Sequence, residues 1–283
     1  MNPNPHEPLF TAHNIRLDDG TQTKPDAHFS METNGWFLAA KRVLDALFPG
    51  NKSGLRLADL GCLEGGFAVE FARMGFEVLG IDVRESNIAI CNYVEKRVNL
   101  PNLEFITDDC KNIGKHGKFD ATFCSGLLYH LDKPREFLEI LSQATKRVLI
   151  LQTHFATNRV QISRRLLQRL PSPVRRVITK ALADRVDEYS LSRICFNEGL
   201  AGRWYTEFGS DEAFSNREGS RWAAWDNRRS FWILREYLLE AIKTAGFDAV
   251  FEQYDDLFPT ISQAMLRGNY LTEHRNFFIG IKS

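Results

Sequence analysis

Three acidic residues, each at or next to the end of an apolar run, carry the chemistry that this 283-residue sequence advertises. Asp59 stands next to last in Leu57-Ala58-Asp59-Leu60, just ahead of the turn Gly61-Cys62-Leu63-Glu64-Gly65-Gly66-Phe67. Asp82 ends Gly80-Ile81-Asp82, and Asp109, with Asp108 before it, ends a third run. Glycines at a strand-to-helix turn let backbone approach a ligand, and the first N–H groups of the helix face it. A carboxylate at the tip of the next strand can accept bonds from two neighbouring ribose hydroxyls. This is the chemistry of holding a nucleotide-like cofactor. Two histidines stand at the ends of the following runs, His130 in Leu127-Leu128-Tyr129-His130-Leu131 and His154 in Gln152-Thr153-His154-Phe155. Either imidazole could serve as a general base toward a hydroxyl.

Positioning these residues requires strands and helices in alternation, the pattern of a parallel sheet covered on both faces. The apolar periodicity predicts strands at 55–60, 77–81, 103–106, 121–124 and 147–152, with helices at 28–48, 66–74, 86–97 and from 134 onward. Pro49-Gly50 stops the leading helix, and Asp132 and Pro134 start the fourth. Regularity lapses over 156–229, returns as a helix over 230–245 that Gly246 ends, and closes with strands at 249–253 and 276–281. Four units follow: a flexible, proline-rich segment 1–26, a cofactor-binding core 27–155, an inserted region 156–229, and a closing helix and two strands over 230–283.

Composition narrows the function class. The 36 basic and 36 acidic side chains cancel, which argues against nucleic acid as the main partner. No apolar run reaches the ~20 residues of a membrane span, and the start of the chain lacks a signal peptide's apolar core, so a cytoplasmic protein is expected. The five cysteines are odd in number and form no C-x-x-C pair, so buried reduced thiols are the expectation. No metal-ligand spacing stands out.

The order of these motifs resembles the class I S-adenosylmethionine-dependent methyltransferases. Asp59, Gly61 and Gly65 match that family's (D/E)-x-G-x-G-x-G turn, while Leu63 replaces its middle glycine. The resemblance implies a Rossmann-like, seven-stranded, mostly parallel sheet with an antiparallel last strand and a helical cover before it; the lapse of alternation over 156–229 is read as a lid inserted after strand five. It implies S-adenosylmethionine as cofactor, with Asp59 ordering the glycine turn. Gly61, Cys62 and Gly65 would approach the cofactor, and Asp82 with Val83 would meet the ribose. Asp109 (or Asp108) with Cys110 would meet the adenine, and Ser125 with Gly126 the methionine end. Methyl transfer to a hydroxyl of a small natural product or sugar would then use His154 or His130 as base.

The inserted region supplies the candidates for binding the acceptor. Its tryptophans are interleaved with charges, which suits a flat or ring-bearing molecule. Tyr129, Trp204, Tyr205, Trp225, Asp226, Asn227 and Arg228 are those candidates, and Ser230 reads as a cap of the following helix. Residues 159–180 carry seven basic side chains and no acid, with Pro171 and Pro173 dividing them into two short helices. This segment keeps RNA, an anionic membrane surface or an acidic carrier open as partners, and a homodimer is compatible with the sequence. A carboxymethyltransferase acting on tRNA wobble uridine and a non-catalytic partner protein of the same fold are the alternative readings.

Overall fold

The structure, a computed structural model, describes residues 8–158, 162–163, 169–181, 186–187, 189–254 and 274–283. Alternating elements run from α1 (Gly35–Leu47) through β1 (Arg56–Leu60), α2 (Gly66–Arg73), β2 (Glu77–Asp82), α3 (Glu85–Glu95), β3 (Leu103–Thr107) and β4 (Phe119–Ser125) to α4 (Pro134–Ala144) and β5 (Thr145–His154). Then come β6 (Ile162–Ser163), α5 (Ser172–Ala181), β7 (Val186–Asp187), β8 (Cys195–Asn197), β9 (Leu200–Thr206), α6 (Asp211–Ser215) and β10 (Arg229–Ile233). The chain closes with α7 (Arg235–Thr244), β11 (Ala249–Gln253) and β12 (Arg275–Ile281).

Seven strands form one sheet in the order β11-β12-β5-β4-β1-β2-β3. Six run in the same direction, and β12, between β11 and β5, is antiparallel to both. This is the Rossmann-like α/β architecture that the motif order implied. Side chains alternate across the sheet, because successive strand residues point to opposite faces. Leu57, Phe123 and Ile150 pack with Phe37, Phe71 and Ile90 of α1–α3. Ala58, Cys124 and Leu151 pack with Leu138, Leu141 and Leu238 of α4 and α7. Because β1 and β4 are adjacent at the point where strand order reverses, their carboxyl ends border the crevice where ligands bind in such sheets.

The N-terminal segment differs from its expectation. Residues 1–7 lie outside the described residues, but 8–27 are packed rather than loose, with Phe10, Ile15 and Leu17 buried. The anchor is Glu64 in the glycine turn. Its carboxylate accepts N–H bonds from Thr11 at 2.6 Å, Ala12 at 3.0 Å and His13 at 2.8 Å, and the Thr11 hydroxyl at 2.8 Å. Polar residues read as a surface tail; a carboxylate 53 residues beyond Thr11 anchors the segment and seats Phe10, Ile15 and Leu17 in the core.

The region after β5 also departs from its reading. Residues 229–233 are not the start of a helix but β10, paired antiparallel with β9, which pairs with β8. The insertion therefore extends to Ile233, and α7 begins only at Arg235. Ser230 does not cap a helix: it lies within β10 and its hydroxyl donates to Glu207 Oε1 at 2.7 Å. In the basic stretch, Arg159, Arg164 and Arg165 lie outside the described residues. Pro173 does not split α5 but occupies its first turn, where its missing N–H is not needed. No described helix is long and apolar enough to cross a membrane.

Candidate active site

The carboxyl ends of β1, β2 and β4 open on a cavity of about 400 Å³. It is closed on one side by Ala12 and His13 of the N-terminal segment and on the other by residues 221–226 of the insertion. Of the residues read from the sequence as cofactor contacts, Asp59, Gly61, Asp82, Val83, Asp109, Cys110, Ser125 and Gly126 line it. Cys62 and Gly65 do not: they shape the turn from behind. Gly65 has φ +77°, and a Cβ there would stand 2.7 Å from the Phe105 ring. Leu63, in place of the family's middle glycine, lines the cavity with φ +54°, so the turn keeps a glycine-like backbone at the ~1 kcal/mol cost of holding a side chain there.

Asp82 is held by backbone on both oxygens. Leu63 N–H donates to Oδ2 at 3.1 Å and Arg84 N–H to Oδ1 at 2.9 Å. The carboxylate lines the cavity. Burial raises the Asp82 pKa, with these N–H bonds pulling the other way. Asp59 lies deeper, with Oδ2 buried and unbonded among the described residues; burial pushes its pKa up to about 7. The pair Asp108–Asp109, inseparable by sequence, is separated by structure. Asp109 lines the cavity and accepts Lys111 N–H at 2.9 Å, whereas Asp108 turns away to Asn112 Nδ2 at 2.8 Å and His116 Nε2 at 2.7 Å.

The two histidines are sorted by their surroundings. His130 is on the cavity wall, and its Nδ1 stands 2.9 Å from Oε1 of Glu207. Glu207, its side chain 2% exposed, is held further by the Ser230 hydroxyl at 2.7 Å and by Ala224 N–H at 3.2 Å. This leaves Nε2 as the imidazole's other nitrogen. His154 is not on the cavity wall. Its ring stacks on Trp232 at 4.9 Å and 18°, meets Tyr129 edge-on at 4.5 Å, and donates from Nδ1 to His274 O at 3.2 Å. Burial, reinforced by the charge of Arg275, pushes its pKa down to about 3.

Of the acceptor candidates, Tyr129, Trp225 and Asp226 line the cavity. Trp204 instead packs on Phe231, and Tyr205 on Trp232. Asn227 donates to Arg229 O at 2.9 Å, and Arg228 pairs with Asp211. None of these four lines the cavity: Trp204 and Tyr205, consecutive in β9, point to opposite faces of the small sheet, and Asn227 and Arg228 precede β10. Several wall residues went unread: His13, Lys111 and Arg275, with Glu207 behind His130 and Arg84 beside Asp82. Glu207 stood in the aromatic stretch but 77 residues from its partner, so no local pattern marked it.

A family model described as a methyltransferase domain matches residues 36–252. The chain belongs to the methyltransferase domain family. By family and fold it is a class I S-adenosylmethionine-dependent methyltransferase. Among curated relatives, this methyltransferase is 27% identical over 99 residues to a ubiquinone biosynthesis O-methyltransferase of Acinetobacter baumannii, 34% of this chain and 42% of that protein. It is 30% identical over 94 residues to the mitochondrial ubiquinone biosynthesis O-methyltransferase of Arabidopsis thaliana, 32% of this chain and 29% of that one. The chain thus spans less than half the length of these relatives. Among solved structures, the N-terminal domain of EvdMO1 in the presence of SAH and D-fucose has a TM-score of 0.60 at 19% identity, covering 94% of this chain and 88% of that one. That likeness concerns the fold. The residues of this methyltransferase fit its cofactor: a backbone-held carboxylate, close-approach glycine and a second acid border one cavity.

Proposed function

We propose that this chain transfers a methyl group to a hydroxyl oxygen of a small, ring-bearing acceptor, with His130 taking the proton. The observation that carries this reading is the imidazole of His130, on the same cavity wall system as Asp82 and backed at 2.9 Å by the buried carboxylate of Glu207. A histidine held by a carboxylate keeps one tautomer and stabilises the cation that forms when it accepts a proton. When bound, S-adenosylmethionine supplies an electrophilic methyl group on sulfur, with the leaving group built in.

In this reading the chain's residues bind, orient and exclude water. Asp82 accepts the ribose hydroxyls, Gly61 and Leu63 present backbone, and Asp109 with Cys110 meets the adenine. Asp59 orders the turn from beneath, and Ser125 and Gly126 border the methionine end. His130 Nε2 receives the hydroxyl proton as the new C–O bond forms. Trp225, Tyr129 and the Lys111–Asp226 pair form the acceptor side of the wall. Trp222, exposed at the rim, extends the aromatic surface. The O-methyltransferase names of the curated relatives support oxygen as the methylated atom. His154, half-buried among aromatic rings, is a packing residue in this reading.

The test begins with calorimetric titration of S-adenosylhomocysteine into the wild type and Asp82→Ala. Micromolar binding that falls at least about tenfold in the variant supports the cofactor site. Labelled-methyl transfer to a panel of phenols and sugars then tests the acceptor class. Binding to neither protein would sink the reading.

A further inference from the structure

One buried side chain joins the cofactor side of the cavity to the acceptor side. Arg84, 6% exposed, stands two residues beyond Asp82 and gives its backbone N–H to Asp82 Oδ1 at 2.9 Å. Its Nη2 faces the carbonyl oxygens of Ala223 at 2.9 Å, Ser220 at 3.1 Å, and Arg217 and Ala224 at 3.4 Å. One nitrogen has two hydrogens, so the two short contacts are the strong bonds and the longer two share what remains. The loop is folded to converge on this donor, with Ser220 N–H bonded to Arg217 O at 3.0 Å and Ala223 N–H to Ser220 O at 3.0 Å. The guanidinium also lies 5.3 Å from the Trp225 ring centre, on the cavity wall.

The same loop continues to the base. Ala224, whose carbonyl faces Arg84, gives its N–H to Glu207 Oε2 at 3.2 Å, and Glu207 Oε1 meets His130 Nδ1 at 2.9 Å. A bonded line therefore runs from Asp82 through Arg84, residues 220–224 and Glu207 to His130, around the cavity. A second tie from this corner, Ser86 Oγ to Glu218 Oε1 at 2.9 Å, is exposed.

We infer that Arg84 is a positioning residue that couples occupancy at Asp82 to the order of residues 217–225, and through Ala224 to the seating of Glu207 behind His130. A ligand whose hydroxyls bond Asp82 fixes the Leu63–Asp82–Arg84 unit, and the guanidinium transmits that restraint to four carbonyls. Lysine offers a charge but no planar fork, so it replaces this function only in part. The inference rests on the reading that Asp82 meets the cofactor's ribose.

Amide hydrogen exchange across 217–225, with and without S-adenosylhomocysteine, tests it in the wild type, Arg84→Lys and Arg84→Ala. In the wild type, saturating ligand should slow exchange at Ser220, Ala223 and Ala224 about tenfold, the scale of one charge-assisted bond. In Arg84→Ala that ligand-linked slowing should shrink below about twofold, with affinity by calorimetry changed less than about fivefold, because the backbone N–H to Asp82 remains. Arg84→Lys should fall between and decides the matter if the alanine variant loses its fold. Full ligand-linked protection in either folded variant would overturn the coupling. So would a wild-type loop that ligand leaves unprotected. A wild type that binds no S-adenosylhomocysteine would overturn the proposed function as well, which separates the two failures.

Discussion

Nδ1 of His130, in the loop after β4, stands 2.9 Å from Oε1 of Glu207, which follows β9 and lies 77 residues later in the chain. The core supplies the histidine and the insertion supplies the carboxylate. Ser230 of β10 and Ala224 of the intervening loop fix the carboxylate by two further bonds, so its position depends on the whole three-stranded insertion.

This pairing predicts how turnover divides. Glu207→Gln keeps the shape but removes the charge behind the imidazole. Once an acceptor is in hand, methyl transfer should drop at least about tenfold, and at least about a hundredfold in His130→Ala. Affinity for S-adenosylhomocysteine should stay within a few-fold in both. His154→Phe, which keeps the stack on Trp232, should retain most activity. Loss of activity in His154→Phe with activity kept in His130→Ala would reverse the assignment.

Asp59 predicts a pH dependence of stability. Its carboxyl is pushed from its ordinary 3.8 to about 7 by burial, so the folded chain holds a proton that the unfolded chain releases. Its contribution is fully present below 3.8, falls as pH rises toward 7, and is level above. Asp59→Asn removes the cost of ionising there. Relative to the wild type, the variant should gain up to about 1.4 kcal/mol per pH unit across that window and nothing further beyond it. Denaturant melts of both proteins at a series of pH values measure the difference, and a difference that does not change with pH would refute it.

His13 predicts the opposite slope. Its Nδ1 accepts Gly66 N–H at 3.0 Å at the start of α2, which only a neutral ring can do. Burial pushes its pKa from 6.5 down to about 4, against the attraction of Glu64. The unfolded chain therefore gains a proton that the folded chain refuses, and stability falls as pH drops from 6.5 to 4. In His13→Asn the amide oxygen can take the same N–H without titrating. That variant should match the wild type near pH ~7 and lose less stability on acidification, whereas His13→Phe should be weaker throughout by about 1–3 kcal/mol for the unsatisfied N–H. Equal acid sensitivity in all three would refute the role.

Some of this molecule was written in local pattern. Apolar runs marked the inner strands of the main sheet, because a strand buried on both faces needs a continuous apolar run, while the edge strands β3 and β11 alternate more buried and more exposed positions. Asp59, Gly61, Asp82, Asp109 and Gly126 were legible for the same reason: strand ends in one parallel sheet share one edge, so strand order alone brings them to one cavity. What stayed hidden depended on contacts between distant segments. Residues 8–27 read as a polar tail until Glu64 gathered their N–H groups. Ser230 read as a helix cap until β9 drew it into a strand. His130 and His154 were equivalent by position, each at a strand end beside the cofactor edge. Only tertiary structure set one against a buried carboxylate and wrapped the other in aromatic rings, because hydrogen-bond partners and burial are properties of neighbours in space.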